Sequence, residues 1–262
     1  MGSEFNKALA LAQRDLMKFL RDRARIIGSF IFPVVFLGIF GVTLNAGLSK
    51  SGGFQFNFID YIFSGILLQT IFQSSFQGIV SLIQDREKDF AMSIFVAPVS
   101  RFAIVFGKIL GESLVSFAQI FVLVIFAKFI GMTFGFREIL LALPVALLGS
   151  FVGASFGLLI ASRVEKADSA QRVFPFLIFP MIFLSGAFTP VNNLPLFLNV
   201  LKTVNPLFYG VDLIRNVMYI GRSEKALAVT NSLSFDLIVF CALGVVFFVA
   251  GSYLFANKEG NR

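Results

Sequence analysis

The sequence predicts an all-α integral membrane protein with six transmembrane helices. Of its 262 residues, 57% are hydrophobic and 14% are charged, whereas a soluble domain carries about 25% charged residues. Six apolar segments are each long enough to cross a hydrocarbon core, which takes about 20 helical residues. An amphipathic stretch with one basic face precedes the first segment. These three observations indicate a protein whose solvent is the lipid bilayer.

The N-terminal amphipathic stretch covers residues 6–25. Residues 1–5, Met-Gly-Ser-Glu-Phe, match two restriction sites translated in frame, so we interpret them as a cloning scar. At helical spacing the apolar side chains of the stretch share one face, and these are Leu9, Ala12, Leu16, Phe19 and Leu20. The basic side chains share the opposite face, and these are Lys7, Arg14, Lys18, Arg21 and Arg25. The pattern predicts an interfacial helix on the inner leaflet. The alternative is a charged flank that only sets topology.

The transmembrane domain is expected over residues 26–256. Its spans are predicted near residues 27–48, 58–83, 103–131, 139–161, 173–189 and 233–256. Pro175 and Pro180 predict a kink in the fifth span. Lys108 and Glu112 stand four residues apart in the first turns of the third span. We interpret them as an ion pair at the membrane surface.

The distribution of Lys and Arg predicts the orientation in the membrane. With the N-terminus inside, the cytoplasmic segments hold more basic residues than the outer loops, as the inside-positive rule requires. We therefore expect a multi-pass protein of the cell membrane with both termini in the cytoplasm, where residues 257–262 form a tail. The net charge of +7 then reflects cytoplasmic loops and gives no reason to expect nucleic acid as a partner.

Two stripes within the spans suggest specific roles. In the second span, polar side chains stack along one face, and these are Gln69, Thr70, Gln73, Ser74 and Gln77. A buried Gln needs hydrogen-bond partners, which either a neighbouring helix or a hydrated substrate path can supply. Both interpretations stay open. In the fourth span, Gly149, Gly153 and Gly157 recur every four residues, a pattern that predicts close helix packing.

Several kinds of chemistry are not supported by the residues present. There is no His, and the single Cys241 lies in an apolar run, so the chain offers no zinc, iron or copper ligand set and no intrachain disulfide. Gly107-Lys108 is followed by Ile109, so no phosphate-binding GxxxxGK[ST] loop is present. With no His in the chain, no imidazole is present to serve as the general base of a hydrolase. We therefore expect no enzyme activity, no metal and no cofactor in this chain.

Residues 84–101, QDREKDFAMSIFVAPVSR, form a polar and then apolar segment between the second and third spans. A helix that begins near Glu87 has acidic residues in its first turn, and Pro98 ends it. Phe90 and Ile94 then share a face with Phe95 beside them. Such a short cytoplasmic helix suits a groove on a partner protein, and the alternative is a helix that rests on the inner leaflet.

Two blocks of sequence resemble those of the type-2 ABC exporter permeases. The first contains Asp85-Arg86-Glu87, VAPVSR at 96–101 and Gly107-Lys108, which are similar to the cytoplasmic motif of that family. The second contains FLSGAFTPVNNLP at 183–195 and NPLFYGVDLIR at 205–215, which resemble the family's fifth span and outer helical hairpin. With the six spans and the amphipathic start, the resemblance covers nearly the whole chain.

The resemblance implies a permease subunit of an ABC exporter that moves an amphiphilic or lipid-linked substrate out of the cytoplasm or the inner leaflet. It implies a second permease subunit, as a homodimer or a heterodimer, and two cytoplasmic ATPase subunits that bind ATP and Mg. Segment 84–101 would be the coupling helix, and segment 190–222 would form outer re-entrant helices. The implied ATPase interface consists of Asp85, Arg86, Glu87, Phe90, Ile94, Phe95, Pro98 and Arg101. A stand-alone secondary transporter and a structural assembly protein of the membrane are the two alternatives.

Overall fold

A computed structural model describes residues 2–50, 57–87, 101–164, 166–191 and 194–260. Within these residues the chain forms eleven α-helices and one π-helical segment, and no strand. The first half contains α1 (Gly2–Arg21), α2 (Arg23–Val35), the π segment (Phe36–Gly41), α3 (Val42–Lys50), α4 (Phe58–Glu87) and α5 (Arg101–Phe129). The second half contains α6 (Phe136–Arg163), α7 (Ala167–Leu184), α8 (Leu196–Thr203), α9 (Pro206–Met218), α10 (Lys225–Ala228) and α11 (Leu233–Gly260).

All six predicted apolar segments lie mainly on helices, although the fifth, 173–189, is helical only to Leu184. Four helical stretches are long and apolar enough to cross a membrane. These four are Ile26–Gly47, Gly107–Phe129, Phe136–Arg163 and Lys225–Leu254. Helices α4 and α7 are not among them. The polar stripe of α4 lowers its hydropathy, and the 18 residues of α7 include the polar stretch ADSAQR at its start. The structure therefore confirms the all-helical membrane class and leaves the count of six spans as a prediction.

Helix α4 is the centre of the bundle and packs against α5, α6, α7 and α9. Most of its side chains between Phe58 and Val80 are buried. Its contact with α6 is close because glycines face it: a Cβ added to Gly153 would lie 2.8 Å from the carbonyl oxygen of Phe72. Gly149 and Gly157 face Leu68 and Phe76 in the same way. All three glycines of the predicted stripe thus lie in the contact between α4 and α6.

The N-terminal helix α1 lies along α5. It ends at Arg21, and Arg23 already begins α2, so the amphipathic helix is shorter at its C-terminus than the predicted 6–25. The predicted apolar face is divided between two environments. Ala12 and Phe19 are buried against the protein, whereas Leu9 and Leu20 remain about half exposed. These exposed apolar side chains leave one side of α1 available to the bilayer interface.

The segment after α7 turns back instead of continuing as a span. Gly186 has a φ of +74°, a backbone conformation that favours glycine, and it lies just beyond the end of α7 at Leu184. The chain then forms the short helices α8 and α9. Asn205 caps α9 by accepting a hydrogen bond from the Leu207 amide, and Pro206 occupies the first turn. Helix α9 is buried among α4, α6 and α11.

Candidate functional site

The polar stripe of α4 borders two neighbouring cavities. The smaller, of about 290 Å³, lies between α2, α4 and α5, and the larger, of about 440 Å³, lies between α1, α4 and α7. Gln73 and Gln77 line both cavities. We call the two cavities together the α4 cleft, because these two glutamines connect them.

The predicted path residues differ in their position relative to the α4 cleft. Thr70 and Ser74 line the smaller cavity with Gln73 and Gln77. Gln69 lines neither cavity, and it is buried with its Oε1 atom lacking a hydrogen-bond partner. Four of the five predicted residues therefore border the cleft. The fifth, Gln69, is buried one helical turn before Gln73.

Two residues that sequence reasoning missed complete the polar lining of the smaller cavity. Gln119 comes from α5 and Ser29 comes from α2. Gln119 is 3% exposed, and its Oε1 atom has no hydrogen-bond partner. Neither residue belongs to a periodic polar pattern on its helix, so the sequence pattern does not predict it. The available signal for Gln119 is that a Gln directly precedes the apolar run IFVLVIF.

Among the described residues, the charged groups of the α4 cleft lie at one side. No described ionisable side chain lines the smaller cavity, whereas Lys18 of α1 and Asp22, which directly follows α1, line the larger one. Gln84, Gln171 and Ser81 continue the polar lining there, near the C-terminal end of α4. The polar surface thus follows α4 from Thr70 to Gln84. At 1.5 Å per residue that distance is about 20 Å.

Lys108 does not form the surface ion pair predicted with Glu112. Its Nζ atom donates a hydrogen bond of 2.7 Å to Oδ2 of Asp15 in α1, and both side chains are at least 98% buried. Glu112 is also buried, and its side chain lies directly over the backbone of Gly78 in α4. The prediction was wrong because α1 packs over this part of α5 and supplies a carboxylate that is distant in sequence.

The opposite end of the bundle is fixed by Arg215 of α9. Its side chain donates to Oγ of Ser64 at 3.1 Å and to the carbonyl oxygen of Gly186 at 2.8 Å. The guanidinium also lies 3.6 Å from the ring centre of Tyr61. Because Arg215 is 3% exposed, these contacts satisfy a buried cation. Arg215 therefore joins the short helix α9 to the start of α4 and to the turn after α7.

A second polar cluster lies at the same end of the bundle, where α4 begins. Asp60 of α4 accepts hydrogen bonds from the backbone amide and the hydroxyl of Thr133, and it forms an ion pair of 3.2 Å with Arg222. The guanidinium of Arg222 also lies 4.4 Å from the ring centre of Phe134. Asp60, Thr133 and Arg222 therefore bring the start of α4, the connection between α5 and α6 and the connection between α9 and α10 together at one end of the molecule.

The predicted ATPase interface lies almost entirely beyond the described side chains. Asp85, Arg86 and Glu87 belong to the last turn of α4, and Arg101 begins α5. Phe90, Ile94, Phe95 and Pro98 lie outside the described residues. The described backbone thus ends at Glu87 and resumes at Arg101, so the prediction for the residues between them lies outside the described residues.

The family model of the ABC-2 type transporter matches residues 6–219. The chain therefore belongs to the ABC-2 type transporter family, and it is a membrane subunit of an ABC transporter. This family confirms the resemblance found in the sequence. It implies association with ATPase subunits. This family membership disfavours the two alternatives, a stand-alone secondary transporter and a structural assembly protein.

Curated relatives carry names that agree with this family. The chain is 28% identical over 207 residues to the transport permease ycf38 of Cyanophora paradoxa, covering 78% of this chain and 71% of the relative. It is 35% identical over 81 residues to nodulation protein J of Rhizobium leguminosarum bv. trifolii, covering 31% of each chain. It is 30% identical over 141 residues to the multidrug ABC transporter permease YbhR of Escherichia coli (strain K12), covering 53% of this chain and 38% of the relative.

Proposed function

We propose that this chain is the permease subunit of an ABC exporter that moves an amphiphilic substrate out of the cytoplasm or the inner leaflet. The observation that carries this proposal is the α4 cleft, a polar lining that follows one helix through the bundle. Gln73 and Gln77 border both of its cavities. Because polar side chains at this depth are costly in a membrane protein, a route for a partly polar substrate explains their position.

The proposed topology has six spans and both termini in the cytoplasm. Helix α4 has 30 residues, or about 45 Å at 1.5 Å per residue, which exceeds a hydrocarbon core of about 30 Å. Helix α7 has 18 residues, or about 27 Å, and α8 and α9 would extend the protein at its end as re-entrant helices. Basic residues such as Lys18 and Arg163 lie at the α1 end, so the inside-positive rule favours that end as cytoplasmic.

The proposed assembly contains two permease subunits and two cytoplasmic ATPase subunits that bind ATP and Mg. Segment 84–101 would contact the ATPase subunits through Phe90 and Ile94. Its position between α4 and α5 supports this role, because both helices border the α4 cleft. A displacement of the segment would then be transmitted to the walls of the cleft. The name of the relative YbhR, a multidrug ABC transporter permease, favours an amphiphilic exported substrate.

The experiment that tests the proposal separates assembly from coupling. The chain is purified with its bound subunits, and ATP hydrolysis and ATP-dependent uptake into inside-out vesicles are measured. We expect Phe90→Asp with Ile94→Asp to leave the two permeases associated and to release the ATPase subunits. Burial of two such side chains is worth about 1.5–3 kcal/mol each, so affinity should fall roughly 100-fold or more. Phe90→Leu with Ile94→Leu keeps the apolar face and serves as the matched control.

The substrate path has its own variant in the same assay. Gln73→Leu with Gln77→Leu removes polarity from the cleft and keeps the size of the side chains. We expect transport to fall while the complex still assembles and keeps its stability. Reduced assembly with unchanged transport per complex would instead support the packing interpretation. Normal transport and normal ATPase retention in all variants would refute the proposed function.

A further inference from the structure

We propose that the α4 cleft selects an amphiphile with an uncharged head group that donates hydrogen bonds from hydroxyl or amide groups. This inference rests on the proposed transport function and names the chemical class of its substrate. Its basis is the set of polar groups in the smaller cavity, together with the absence of ionisable side chains from the described residues that line it.

Two buried oxygen atoms in the smaller cavity can accept a hydrogen bond from a bound molecule. Oε1 of Gln119 and Oγ of Ser74 have no hydrogen-bond partner among the described residues, and these side chains are 3% and 6% exposed. Both residues line the smaller cavity. A buried polar group without a partner is unfavourable, so a ligand that donates a hydrogen bond to it gains affinity. Hydroxyl and amide groups of a ligand are suitable donors.

The charge of the lining excludes an ionic head group from the smaller cavity. Its polar side chains are amides and hydroxyls, and they come from Ser29, Thr70, Gln73, Ser74, Gln77 and Gln119. Burial of a charge without a counter-ion is strongly unfavourable. A phosphate is usually held by Arg or Lys, and neither is among the described residues that line this cavity. In the larger cavity, Lys18 and Asp22 contribute one charge of each sign.

Apolar side chains beside the polar lining favour an amphiphile over a free polar solute. Phe32 and Pro33 of α2 form part of the smaller cavity, and Phe76 and Phe174 form part of the larger one. The rings of Phe76 and Phe174 stack at 3.8 Å between centres. Sites for small ligands typically have volumes of about 300–1,000 Å³ and combine apolar walls with a few polar groups. The α4 cleft has this composition.

The test compares three fluorescent ceramides that share their tails and differ only in their head groups. The full chain in lipid nanodiscs is titrated with glucosylceramide, sphingomyelin and ceramide 1-phosphate, without ATPase subunits and without ATP. We expect glucosylceramide to bind at least tenfold more tightly than ceramide 1-phosphate, with sphingomyelin weaker than glucosylceramide. Methyl glucoside at the same concentrations should not displace it, because it lacks the tail. Displacement by methyl glucoside would refute the requirement for an amphiphile.

Variants locate the binding within the cleft. Ser74→Ala and Gln119→Leu should each weaken glucosylceramide binding by about tenfold, whereas Gln13→Leu on the exposed surface of α1 should leave it unchanged. Ser74→Ala is the smaller change, so it keeps the test informative if Gln119→Leu does not fold. Equal binding of the three lipids, preference for the phosphate, no binding, or unchanged affinity in both cleft variants would overturn the inference. None of these results depends on the assay of ATPase retention and transport. The proposed transport function can therefore be confirmed there even if this inference about the substrate is refuted.

Discussion

Removal of the Lys108 amino group tests whether a buried ion pair holds α1 to α5. Nζ of Lys108 lies 2.7 Å from Oδ2 of Asp15, and the two side chains are 2% and 1% exposed. Lys108→Met keeps most of the side-chain volume and removes the charge, so the carboxylate of Asp15 stays buried without this partner. Removal of one member of a buried pair typically costs about 3–5 kcal/mol of stability.

Arg14 lowers the expected cost. Its Nη2 atom lies 3.5 Å from Oδ1 of Asp15, but the Arg14 side chain is 37% exposed. Pairs of that kind contribute about 0.2–1 kcal/mol, so we expect Lys108→Met to lose about 3 kcal/mol. Replacement of both members, with Asp15→Leu added, removes both buried charges. The double variant should therefore return to within about 1 kcal/mol of the parent protein.

The measurement is unfolding in mixed micelles with increasing SDS, followed by circular dichroism. Lys128→Met is the matched control, because Lys128 is on the same helix and its side chain is exposed. We expect the control to change stability by less than about 1 kcal/mol. If Lys108→Met is no less stable than Lys128→Met, or if the double variant is no more stable than Lys108→Met, the buried pair does not stabilise the contact between α1 and α5.

Two further variants address packing and the opposite end of the bundle. Gly153→Ala places a Cβ 2.8 Å from the carbonyl oxygen of Phe72, so α4 and α6 must separate, and we expect a loss of stability of about 1–3 kcal/mol. The control is Gly28→Ala, whose added Cβ meets nothing within 4 Å and should cost less than about 0.5 kcal/mol. Equal effects of the two substitutions would contradict the packing argument. Arg215→Lys keeps the charge but cannot reach Ser64 and the Gly186 carbonyl together, so the same SDS titration should show a loss of about 2–3 kcal/mol. An unchanged Arg215→Lys variant would show that charge alone suffices there.

Features that depend on a single helix could be predicted from the sequence. The fourth span was expected at residues 139–161, and α6 runs from Phe136 to Arg163. Apolar length alone carries that signal. The same holds for the stripe of Gln73 and Gln77, because a period of four residues places them on one face of one helix. Neither inference required knowledge of a neighbouring element.

Features that arise between helices could not be predicted in this way. Gln119 and Ser29 join the α4 cleft because α5 and α2 pack beside α4, and no local pattern marks either residue. The interruption of the first span by the π segment Phe36–Gly41 was also not predicted, since the residues there are ordinary apolar ones. Pro33 precedes the segment, but a proline by itself predicts a kink and not a π-helical turn.

The pairing of Lys108 shows how such a contact changes the mechanistic interpretation. Local spacing favours Glu112 as its partner, and a pair of that kind would stabilise only α5. The observed partner, Asp15, is 93 residues away and lies on another helix. Asp15 and Lys108 therefore connect the N-terminal helix to the helix that follows segment 84–101. A helix that only rested on lipid could move independently of the bundle, whereas a buried ion pair makes α1 and the start of α5 move together. If segment 84–101 transmits force from an ATPase, α1 and the larger cavity beside it will be displaced with α5.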